Sequence, residues 1–140
     1  MNWTKFGIGT LLGGIVFFFG GWLLYGIVLK DALASPAEFA NVRYAEEDFK
    51  ISLMAISCFL WSAFITLILM RWANVSTFLG GLKVSAIIGF LVALAYGLGF
   101  ASEFKIGSVN HALIDAVANT VLLGLTGGVV GWFLGRSKKS

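Results

Sequence analysis

"NHALIDAVANTVLLGLTGGVVGWFLGR", residues 110–136, holds an acid, a histidine and an asparagine at its front and five glycines at its back. From Ala116 to Gly135 it has no charged side chain. That is close to the ~20 residues a helix needs to cross a ~30 Å hydrocarbon core. The stretch therefore predicts a membrane-crossing helix with two unusual faces. At ~100° per residue His111, Asp115, Asn119 and Thr126 fall within roughly 40° of one direction, and Gly124, Gly128, Gly131 and Gly135 gather near the opposite one. Small residues at such steps let helix backbones approach closely where no hydrophobic effect drives association. A helix with both faces is expected at the centre of a bundle, or with one face against another chain.

The same kind of run occurs three more times. Residues 6–29 lie uncharged between Lys5 and Lys30, 51–70 between Lys50 and Arg71, and 84–102 between Lys83 and Glu103. With the last span drawn from about 112 to 135, the chain reads as one domain over 1–140. Its fold class is all-α: an integral membrane bundle of four transmembrane helices. Composition agrees, because 59% hydrophobic and only 12% charged residues in a chain of 140 leave too little polar surface for a water-soluble domain of that size. Strands are excluded by length and pattern, since tilted barrel spans need only ~9–11 residues of alternating polarity. "ALAS" at 32–35 imitates a leader cleavage site, but the apolar run before it exceeds the ~7–15 residues of a signal core and is read as the first span.

Charge sets an expected orientation. With the amino terminus inside, the inner side holds Lys5, Arg71, Lys83, Arg136, Lys138 and Lys139, six bases and no acid. The outer side holds Lys30, Arg43, Lys50 and Lys105, four bases, with Asp31, Glu38, Glu46, Glu47, Asp48, Glu103 and Asp115. Cytoplasmic retention of lysine and arginine then places both termini in the cytoplasm of a cell whose inner (plasma) membrane the chain spans several times. Trp3, Trp72 and Trp132 fall at the inner interface and Trp22, Tyr25, Tyr44 and Tyr96 toward the outer one, where amphipathic rings settle. Trp61 lies mid-span, and its indole N–H calls for a partner on a neighbouring helix.

Between spans 1 and 2, Ser35, Pro36 and Glu38 have the spacing of a capping box with proline at the first helical position. Phe39, Val42, Ala45 and Phe49 recur at helical steps, so a short amphipathic outer helix is expected there. The first span divides as the fourth does: Gly7, Gly9, Thr10, Gly13, Gly14, Gly20 and Gly21 form a smooth side that should pack on the fourth helix. Gly9, Gly13, Gly20, Gly124, Gly128, Gly131 and Gly135 are the expected helix-packing residues.

His111, Asp115 and Asn119 form the candidate polar site. An acid at the bilayer centre costs at least ~2.5–3.5 kcal/mol and is a functional suspect for that reason. Near the outer boundary, a carboxylate in the first turns of a helix is instead favoured by the macrodipole. His111, one turn earlier, is spaced to hydrogen-bond to Asp115. Enzyme chemistry has little to stand on: one histidine and one cysteine (Cys58) cannot build a His/Cys metal site, and no nucleophile elbow or cysteine pair is present. No enzyme activity, no cofactor and no metal are expected. The bases form no stripe, so nucleic acid is not an expected partner; the lipid bilayer and other membrane chains, or self-association, are.

The succession of four short spans, the first with "GGIVFFFGGWLLYG" (13–26), an acidic outer connection, and a last span with "LIDAVANTVLLGLTGGVVGWF" (113–133), resembles a family of small bacterial inner-membrane proteins catalogued as a domain of unknown function. The resemblance covers nearly the whole chain and implies no activity. Small multidrug exporters are similar in size but carry an acid in their first helix, and quinone-linked disulfide enzymes need cysteine pairs; this sequence has neither. A short echo, "WLLYG" (22–26) against "ALAYG" (93–97), matches what duplicated hairpins would leave. Two functions are carried forward: an accessory or assembly subunit (or small homo-oligomer) acting by helix packing, and a small transporter or proton-coupled carrier using Asp115 and His111.

Overall fold

A computed structural model describes residues 1–34 and 41–138. Four helices account for most of them: α1 (Trp3–Leu23), α2 (Ile51–Arg71), α3 (Phe78–Glu103) and α4 (Val109–Arg136). Each is long and apolar enough to cross a membrane, and together they form an all-helical four-helix membrane bundle. Helix is the form these segments must take in lipid, because it satisfies every backbone donor and acceptor internally.

Local signals set the ends. The Asn2 side chain accepts from the Lys5 N–H at 3.1 Å, Thr77 Oγ1 from the Gly80 N–H at 3.1 Å, and Ser108 Oγ from the His111 N–H at 3.1 Å. Each cap satisfies a donor that the first helical turn leaves orphaned. α2 ends where the Ala73 and Val75 N–H groups bond back to the Ile68 and Leu69 carbonyls, and Asn74 turns the chain with φ at 52°. Asparagine tolerates this left-handed conformation better than other side chains do.

At its far end α1 changes register. Leu24–Val28 form a π-helical turn, closed by the Leu29 N–H on the Leu24 carbonyl at 2.7 Å. Of the connection that follows, the expected capping residues Ser35, Pro36 and Glu38, with Phe39, lie outside the described residues. The described remainder holds a short 3₁₀ turn, Glu46–Asp48, and Val42 and Phe49 are both exposed. No amphipathic α-helix runs from Val42 to Phe49, because the 3₁₀ turn breaks the periodicity that the apolar positions share.

Packing is uneven. Half of the most apolar window of α4 is buried inside the protein (50%), against 17% in α1 and in α3 and 28% in α2, so α4 is the axis of the bundle. α3 and α4 make the most intimate pair, while α2 and α3 barely touch. On α3 the small residues Gly81, Ser85, Gly89, Ala93 and Gly97 recur every fourth position and face α4. A Cβ added to Gly81 would run into the Gly127 carbonyl; one on Gly89 would stand 2.6 Å from the Asn119 carbonyl oxygen, and one on Gly97 2.9 Å from Ala112 Cβ. From the α4 side, Cβ atoms on Gly131 and Gly135 would collide with the Thr77 and Ser76 carbonyls. One on Gly128 would lie 2.8 Å from the Phe78 ring, and one on Gly124 3.3 Å from Ala86 Cβ.

α1 rests against both α2 and α4. Cβ atoms would come within 2.9 Å of Thr66 Cγ2 at Gly9, 2.9 Å of Val130 Cγ2 at Gly13, and 2.7 Å of Leu122 Cδ1 at Gly20. Ile65, Leu69, Leu123, Val130 and Leu134 form the apolar core between these helices. Large side chains such as Leu11, Phe19, Leu60, Leu79 and Leu91 are exposed all around, as a hydrocarbon solvent permits.

Candidate functional site

The basic side chains Lys5, Arg71, Lys83, Arg136 and Lys138 collect at one end of the bundle and Asp31, Glu47, Asp48, Glu103 and Asp115 at the other. The candidate site lies at the acidic end. Asp115 is six residues into α4, about 9 Å along it at ~1.5 Å per residue. α4 has 28 residues, hence a length of ~42 Å, which overshoots a ~30 Å core and leaves Asp115 near the hydrocarbon boundary.

Asp115 and Asn119 are brought together with a third group, Tyr25 of the π-helical turn. Tyr25 Oη donates to Asp115 Oδ1 at 2.7 Å, and Asn119 Nδ2 donates to Tyr25 Oη at 2.7 Å and to the Asp115 carbonyl at 3.0 Å. The three side chains thus close on one another between α1 and α4. A carboxylate that takes a phenol proton in hydrogen bond at low dielectric is strongly held, and charge-assisted bonds of this kind are shorter and stronger than neutral ones.

His111 does not join them. Its imidazole makes no hydrogen bond to Asp115 among the described residues; its backbone N–H serves the Ser108 cap. Instead it shares with Asp115 a groove of ≈ 240 Å³ between α3 and α4, walled by Leu33, Tyr96, Phe100 and Ile106. Thr126, on the same side of the α4 wheel, is fully buried about three turns beyond Asp115 and bonds the Leu122 carbonyl of its own helix at 2.8 Å. Around it, Ser62 Oγ donates to the Thr10 carbonyl at 2.8 Å. The hydroxyls of Thr10, Thr66 and Ser85 have no hydrogen-bond partner among the described residues. Two of these stand opposite glycine: Thr66 against Gly9, Ser85 against Gly127.

Tyr25 is the residue that sequence reasoning assigned only to the outer interface. A signal for its role existed in matched depth. Lys5 and Tyr25 are nearly as far apart in sequence as Asp115 and Ser137, and the Lys5 ammonium donates to the Ser137 carbonyl at 2.7 Å at the basic end. Two antiparallel helices joined at one end by that bond bring Tyr25 and Asp115 level at the other.

Among the described residues no three His, Cys, Asp or Glu side chains converge on a common point. Compared with protein-family models, curated proteins and solved structures, the chain matches none.

Proposed function

We propose that this chain is a multi-pass inner-membrane protein with both termini in the cytoplasm, and that it works without catalysis as an accessory or assembly subunit, by packing against another membrane chain or a second copy. The carrying observation is that the acidic-end polar cluster and most of the helix glycines are engaged within the chain. Tyr25, Asp115 and Asn119 bond to one another, and the glycines of α1 other than Gly7, with those of α4, lie against other parts of the same bundle. Contact with another chain then falls to the side where α2 and α3 part. There Ser57, Leu60, Trp61, Phe64 and Val92 line a groove of ≈ 370 Å³, and the Trp61 indole N–H has no partner among the described residues. A donor left in hydrocarbon favours any arrangement that supplies an acceptor. Native mass spectrometry of the protein extracted in mild detergent tests this: Val92→Trp, which fills the groove, should dissolve an assembly that Leu11→Trp on the exposed face of α1 leaves intact. A wild-type chain that is alone under every mild condition refutes the reading.

A second reading has one observation of its own. Asp115 and His111 share the groove between α3 and α4, as a carrier's titrating pair would. In proteoliposomes a carrier of this kind loses proton-coupled uptake on Asp115→Asn; uptake that persists removes Asp115 from the path.

A further inference from the structure

At the basic end, the last turn of α4 and the first turn of α3 enclose a groove of ≈ 790 Å³ lined by Ser76, Thr77, Phe78, Trp132, Gly135, Arg136 and Lys138. One side of it is closely packed, because Gly135 and Gly131 let the α4 backbone lie directly on the Ser76 and Thr77 carbonyls. Its lining is of two kinds: the aromatic side chains of Phe78 and Trp132, and the polar residues Arg136, Lys138 and Ser76. The Arg136 guanidinium is stacked on Trp132, 4.8 Å from the ring centroid, which limits where its donors point. All the described acids belong to the other end of the bundle or to the connections there, so among the described residues neither cation is neutralised by a side-chain carboxylate. The opening turn of α3 adds to the positive field. The Gly80 and Gly81 N–H groups are taken by Thr77 Oγ1 and the Thr77 carbonyl, and those of Phe78 and Leu79 remain as donors without an intrahelical acceptor.

We infer that this groove is a binding site for an anionic phospholipid, with the phosphate headgroup between Arg136, Lys138 and the start of α3 and the first methylenes of the chains against Phe78 and Trp132. The match is one of charge and of amphipathy together: two cations with no carboxylate partner among the described residues, beside an apolar wall at the end of the bundle, suit a lipid phosphate better than a soluble anion, which has no use for the aromatic side. Basic pockets between membrane helices select anionic headgroups by this chemistry.

The test counts lipids retained by the purified full-length protein in native mass spectrometry, offered equimolar phosphatidylglycerol and phosphatidylcholine. Wild type should prefer phosphatidylglycerol by about tenfold, R136Q/K138Q should lose that preference, and R71Q/K83Q, which removes the same charge from the same end outside the groove, should change it less than about twofold. Ser76→Trp keeps every charge and fills the groove; it should lower retention about fivefold, so the outcome does not hang on one variant. An equal loss in both charge pairs would mean a diffuse surface field and overturn the site. So would release of bound phosphatidylglycerol by millimolar inorganic phosphate, which would make the ligand a free anion, or a wild-type protein indifferent to headgroup.

Discussion

α4 is held by its two main neighbours in different ways. Against α3 the contact is steric: backbone lies on backbone through Gly81, Gly89, Gly127, Gly131 and Gly135, and no side-chain hydrogen bond crosses between the two helices among the described residues. Against α1 the contact is fastened at its ends, by Tyr25 to Asp115 and Asn119 at the acidic end and by Lys5 to Ser137 at the basic end. Close approach maximises dispersion along the whole length but tolerates no added atom. Polar fastening tolerates small changes in distance and fails one bond at a time.

That difference can be broken most severely at Gly127. Gly127→Leu drives a side chain into Ser85 and the Gly81 carbonyl, and should cost more than ~3 kcal/mol, beyond usual overpacking, since backbone cannot move aside. Loss of helical circular dichroism on titration with a denaturing detergent would report it. Next comes the acidic-end fastening: Tyr25→Phe and Asp115→Asn should each destabilise by about 1 kcal/mol, and the double mutant by less than their sum, since interhelical bonds in membranes are worth ~0.6–2 kcal/mol. Additive losses in that cycle would show that the 2.7 Å bond carries no coupling. Lys5→Met, at the basic end, should cost under ~1 kcal/mol in the same assay. Smallest of all is Ser85→Ala: its hydroxyl makes no hydrogen bond among the described residues, so stability should stay within ~0.5 kcal/mol or rise, whereas a drop would reveal a partner for the hydroxyl.

The four crossings were legible because charges punctuate the runs: Lys5, Lys50 and Arg136 stand within a few residues of helix ends. At α3 the punctuation misled by one to two turns, since Lys83 is inside a helix that begins at Phe78, where Thr77 provides the cap. A long amphipathic side chain reaches the interface from inside the first turns, so charge marks the water boundary and not the helix boundary. The α3 stripe was present in the sequence every fourth residue, but it mixes Gly81, Ser85 and Ala93, and a search for glycine alone passes over it. Asp115 and Asn119 were found through their shared wheel direction. Tyr25 was not, because its partner is on another helix and its direction depends on the π-helical turn, which no local pattern announces. His111 satisfies the wheel argument yet bonds neither Asp115 nor Asn119, since sharing a face does not bring side chains into contact.

The central place of α4 has a consequence for biogenesis. The ribosome delivers α4 after the three helices it organises: Ser62 and Thr66 already have Thr10 and Gly9 of α1 to meet, whereas Ser85 enters lipid before the Gly127 surface that covers it exists. α1 and α2 can pair as they emerge, but α3, which barely touches α2, gains its packed neighbour only when the last helix arrives.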